Sequence, residues 1–125
     1  MKPVDQDKFH DKETGARGNC QQAAVASILE LPLHQVPNFH DCEEGFWAGF
    51  HNFVRSRGMA ILALRNGDFD YWLRTSGVHY LAYGPAERGV LHAVVYRDGK
   101  LAHDPHPSRA GLLQVDEVNV LVPLL

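Results

Sequence analysis

The chain has 125 residues, a formal net charge of −3, and ordinary apolar (45%) and charged (22%) fractions, enough to bury one core without staples. That charge leaves no basic footprint for nucleic acid or an anionic membrane, and no apolar run approaches a membrane span. Two cysteines, Cys20 and Cys42, make no disulfide framework; with no apolar leader over Met1–Asp7, the expected setting is the reducing cytoplasm.

No repeat or linker divides the sequence, so residues 1–125 read as one domain. Residues 1–19 are polar and aperiodic, an extended arm and loop with a short strand expected near Val4. Helix one is expected from about Cys20 to Leu31, with Ala24, Ile28 and Leu31 on one face and Pro32 stopping it. Asn19 is placed to cap its start, and Gln22, three residues on, to complete a capping box. Cys20 then takes the first helical position, where free N–H groups and the positive end of the dipole favour a thiolate.

A second helix is expected to open at Asp41–Glu44, bury Phe46, Phe50, Phe53 and Val54, and end on Arg55 and Arg57 before Gly58. Cys42 would also sit at a helix start, but its acidic neighbours Asp41, Glu43 and Glu44 disfavour a thiolate there. Met59–Leu64 reads as a strand and Asp68–Arg74 as a short helix. Beyond Gly77, residues 78–83, 90–97, 100–103 and 118–122 are four strand-like runs separated by turn signals. Helices first and an antiparallel sheet second make an α+β arrangement.

Asp98-Gly99 marks a hairpin between Leu91–Tyr96 and Lys100–Asp104. A two-residue loop pairs Arg97 with Lys100 and leaves Asp104 opposite Ala93, on the other face from His92. A three-residue loop, Arg97-Asp98-Gly99 with a bulge, pairs Tyr96 with Lys100 and sets His92 directly across from Asp104. The second register is the expected one, because it yields a base with an orienting carboxylate. Cys20 as nucleophile, His92 as acid–base and Asp104 as orienter would then need only the helix start to meet the His92 strand.

Gly18-Asn19-Cys20 opening an apolar helix, then His92-Ala93-Val94-Val95-Tyr96, then His103-Asp104-Pro105-His106-Pro107, resembles the papain-like cysteine peptidase superfamily. The closer resemblance is to small bacterial and phage papain-like proteins, and more distantly to the double-glycine leader peptidases. It implies a helix carrying Cys20 packed on a sheet carrying His92 and Asp104, a peptide or isopeptide substrate, and no cofactor. It also implies an oxyanion-hole glutamine upstream of the cysteine, for which Gln6 is the candidate beside the Cys20 amide. Gln21-Gln22 stands where the leader peptidases carry glycine-proline, so their substrate does not carry over. Deamidation, transglutamination or small-molecule amide hydrolysis would use the same groups.

Among other residues, Trp47 and Arg88 are candidate substrate contacts. Two rival readings remain open: a non-catalytic, protein-binding use of the same scaffold, and a metal site built on His92, Asp104 and His106, with His103 on the opposite face. His34, His40, His51 and Cys42 match no tight ligand spacing.

Overall fold

The computed structural model describes residues 1–65, 67 and 69–125. Ten residues, Cys20–Leu29, form helix α1. Ala23, Ala24 and Ala26 are fully buried in it, and such small side chains let the helix lie close to the sheet. It ends two residues short of the expected Leu31. The residue before Pro32 is barred from helical backbone, and Glu30 instead closes the helix in the left-handed region (φ 57°), its N–H returning to the Ala26 and Ser27 carbonyls.

Helix α2 spans Phe46–Ser56 and starts later than expected. Asn38 accepts from the His40 N–H and opens a separate 3-10 turn, Phe39–Asp41, and Gly45 at φ 103° breaks the chain before Phe46, a conformation that suits glycine. Asp41–Glu44 therefore lie outside the helix, and Cys42 sits not at a helix start but with its sulfur against Gly49 of α2. A short helix, α3, covers Phe69–Leu73; the expected start at Asp68 lies outside the described residues.

Strands β1 (Met59–Arg65), β2 (His79–Pro85), β3 (Leu91–Arg97), β4 (Lys100–His103) and β5 (Glu117–Pro123) form one sheet in the order β1-β5-β2-β3-β4. Every pairing is antiparallel, so the α+β class stands. One face packs on α1 and α2 through Val25, Phe39, Phe50, Val54, Leu81, Val95 and Leu121. The other packs on α3 and the segment before β5, through Phe69, Leu73, Tyr80, Ala82, Val94 and Val118. Gly84 belongs to this second face: a Cβ there would lie 1.9 Å from the Gln114 carbonyl oxygen, so only glycine lets that segment cross β2.

The hairpin differs from the expected register. Asp98 and Gly99 both take positive φ (53° and 79°), the two-residue turn whose twist matches its strands, and Arg97 pairs with Lys100. Tyr96 pairs with Leu101, but Val95 then pairs with His103, so Ala102 is an extra residue bulged from β4. The bulge lies past the turn rather than in it. Carried one residue on, the shifted register sets Asp104 across from Val94, diagonal to His92 and on its face, where an unbulged two-residue hairpin would put it on the other.

The N-terminal arm makes no strand near Val4. Its backbone bonds instead to side chains and carbonyls: the Val4 N–H to Ser27 Oγ (2.9 Å), His103 Nε2 to the Val4 carbonyl (2.9 Å), and the Gln6 N–H to the Pro105 carbonyl (3.1 Å).

Candidate active site

Asn19 is nearly fully buried but does not cap α1. Its Oδ1 accepts from the N–H groups of Asp7 (3.1 Å) and Lys8 (2.9 Å), and its Nδ2 donates to Asp7 Oδ1 and Gln22 Oε1. Gln22 in turn donates to the Leu33 and Val36 carbonyls, so the expected capping box is replaced by a clamp holding the arm. The first N–H groups of α1 are left without a side-chain acceptor, beside Cys20 in the first helical position.

The arm brings Gln6 to this point. Gln6 is 8% exposed, its Nε2 donates to the Lys8 carbonyl (2.8 Å), and a Cβ on Gly18 would lie 3.0 Å from that same nitrogen. One amide hydrogen is thereby used and the other is spare, and Gln6 lines one cleft with Cys20 and His92.

His92 and Asp104 meet across the bulged hairpin, His92 Nε2 lying 2.7 Å from Asp104 Oδ1 with both side chains buried. The carboxylate also accepts from the His106 N–H (2.9 Å) and the Gly111 N–H (2.8 Å). Burial opposes its charge, but the His92 bond and the two backbone N–H bonds outweigh it and hold Asp104 down at about 2. Burial likewise opposes an imidazolium at His92, yet the bond to Asp104 and then the neighbouring Cys20 side chain push it up to about 9. With Nε2 engaged by Asp104, Nδ1 is the nitrogen left for Cys20.

Two clefts, of about 1100 and 680 Å³, open on this pair, and Cys20 and His92 line both. Arg88 borders the larger one and reaches Ser108 Oγ at 3.3 Å. Trp47, 57% exposed, borders the smaller one with Phe46 and Tyr83 and meets the Tyr83 ring edge-on at 5.9 Å. The Tyr83 hydroxyl and the amide of Gln21 lie beside each other without a hydrogen bond; burial raises the Tyr83 pKa.

His103, as expected, stays away from this cluster and ties down the arm. His106 stands edge-on to the His92 ring at 6.2 Å and turns Nδ1 onto Ser108 Oγ. Among the described residues no group of three or more His, Cys, Asp or Glu side chains is disposed to hold a metal ion. Cys42 has its pKa raised by burial and then by Glu44.

Several residues of the site carried no sequence signal. Arg17 and the exposed His40 line both clefts with Cys20. Partial burial lowers the His40 pKa, with the Arg17 charge adding to that. Arg17 arrives through a loop and His40 through the short 3-10 turn, neither of which has a periodicity to read. No protein-family model, curated protein or solved structure matches this chain.

Proposed function

We propose that the chain is a thiol hydrolase of papain-like type that cleaves a peptide or isopeptide bond through an acyl-enzyme. The observation that carries this reading is His92, paired with the buried Asp104 carboxylate at 2.7 Å, lining two clefts together with Cys20 at the start of α1. In this mechanism the proton of the Cys20 thiol rests on His92 Nδ1, and the sulfur attacks the substrate carbonyl carbon. The resulting oxyanion takes hydrogen bonds from the Cys20 N–H and the spare Gln6 Nε2 hydrogen. His92 passes its proton to the leaving amine as the C–N bond breaks, leaving a thioester on Cys20. Water, deprotonated by His92, then releases the acid and restores the thiol. Asp104 holds the imidazole in one tautomer throughout.

Iodoacetamide labelling read by peptide mass spectrometry tests the base directly. At pH 6.5, Cys20 is expected to react at least about tenfold faster than Cys42, as an activated thiol does beside an inert one. His92→Ala should remove most of that difference. Equal rates at the two cysteines would sink the enzyme reading and leave a protein-binding use of the scaffold. A screen of quenched-fluorescent peptides, with Cys20→Ala as the blank, then reads hydrolysis itself.

A further inference from the structure

The larger cleft has the opposite charge balance to the chain as a whole. Against a net charge of −3, the cleft is lined by Lys8, Lys12, Arg17 and Arg88 with only Asp7 and Asp11 as carboxylates. Both carboxylates are exposed and have partners within the chain. Asp7 Oδ1 accepts from Asn19 Nδ2 (2.8 Å) and lies 3.7 Å from Lys8 Nζ, while Asp11 Oδ1 accepts from the Glu13 N–H (2.9 Å). The two guanidiniums are not. Among the described residues Arg17 has no ion-pair or hydrogen-bond partner, and Arg88 has only the neutral Ser108 hydroxyl at 3.3 Å.

Their charge is felt across the cleft rim. Burial and then Arg17 depress the His40 pKa, with Asp41 opposing them less strongly, and burial and then Arg88 depress that of His106, with Asp104 opposing them less strongly. Arg17 and Arg88 line this cleft together with Cys20 and His92. A planar guanidinium fork matches a carboxylate better than any neutral group.

Resting on the hydrolase reading above, we propose that the larger cleft is an anion subsite in which Arg17 and Arg88 hold side-chain carboxylates of the substrate, making an acidic peptide segment the class of chain this thiol acts on. The amide cleaved would lie beside Asp or Glu residues seated in that cleft, with the aromatic cleft at Trp47 taking the other side of the bond.

Iodoacetate and iodoacetamide differ only in carrying a carboxylate or a carboxamide, and their rate ratio at Cys20 reads the field without any substrate. The ratio is expected to exceed that of N-acetylcysteine by about tenfold at low salt, the lower end of what a charged cleft gives, and to fall several-fold by 0.5 M salt as screening shortens. In Arg17→Gln/Arg88→Gln, whose replaced side chains are both exposed, the ratio should drop at least threefold, with a circular-dichroism melt confirming the fold; single Arg88→Gln gives the same reading in part. A ratio equal to that of the small thiol overturns the proposal. So does a high ratio that ignores both arginines, which would trace the field to His92. Slow reaction with both reagents, but with an arginine-dependent ratio, supports the anion subsite while removing the hydrolase reading beneath it.

Discussion

Replacing Asp104 by Asn keeps the shape of the side chain and removes its charge, which isolates what the carboxylate does. Its depressed pKa, about 2 against 3.8, means ionised Asp104 stabilises the fold above pH 4 and loses that contribution as pH falls towards 2, a swing of about 2 kcal/mol. His92, raised to about 9 from 6.5, works in the other direction. Its stabilisation is complete below pH 6.5 and is lost as pH rises through 9, about 3 kcal/mol in all. The two figures largely describe one interaction from its two ends, with Cys20 adding to the second, so they are not summed. Between pH 4 and 6.5 both partners are charged, and Asp104→Asn is expected to lower the unfolding free energy by about 2–3 kcal/mol. The new amide also turns its N–H group either towards His92 Nε2 and the His106 N–H, which share Oδ1, or towards the Gly111 N–H at Oδ2, which adds to the loss. Urea unfolding followed by circular dichroism at pH 3, 5.5 and 9.5 should show the largest gap between parent and variant at 5.5. An NMR titration should find the His92 pKa well below its parental value. A gap equal at all three pH values, or an unmoved His92 titration, would refute the ion-pair account and leave only packing.

Asn19→Ala removes four hydrogen bonds that tie Asp7, Lys8 and Gln22 to the start of α1; a loss of about 2–4 kcal/mol follows, and the Asp7 and Lys8 amides should exchange hydrogen far faster. Gly84→Ala forces a Cβ onto the Gln114 carbonyl and should lower stability by about 3 kcal/mol or more, visible as a large drop in Tm. At Gly89 a Cβ would meet open space, so the Ala variant there should cost only about 1 kcal/mol, from its positive φ. Ser27→Ala strips the arm of the hydroxyl that accepts the Val4 N–H and should cost about 1 kcal/mol, with limited proteolysis near Val4 as the readout.

What could be read from the sequence was periodic or local. The strand-like run from Leu91 to Tyr96, the Asp98-Gly99 turn and the apolar run after Cys20 define the strands and helix that carry His92, Asp104 and Cys20. Helix ends slipped where a neighbour outweighed propensity: Pro32 drew the end of α1 back to Leu29, and Gly45 delayed α2 to Phe46. Asn19 has the composition of a cap, but cap chemistry is decided by which N–H groups arrive, and those of Asp7 and Lys8 come from the arm. The arm itself pairs with side chains and with the end of β4, contacts that leave no pattern in residues 1–8. The same holds for Arg17 and His40. The hairpin bulge was anticipated, but at the turn; nothing about Leu101-Ala102-His103 marks Ala102 as the residue to be expelled.

That expelled residue makes the alignment of His92 with Asp104 a matter of counting. Exchanging one side chain for another between them alters packing yet preserves which side of the ribbon each faces. Removing Ala102, or adding one residue to either strand, inverts that parity and would carry the carboxylate away with every side chain in place. A map built from substitutions alone would pass over Ala102 as unimportant, because what it contributes is its presence in the chain and not its methyl group.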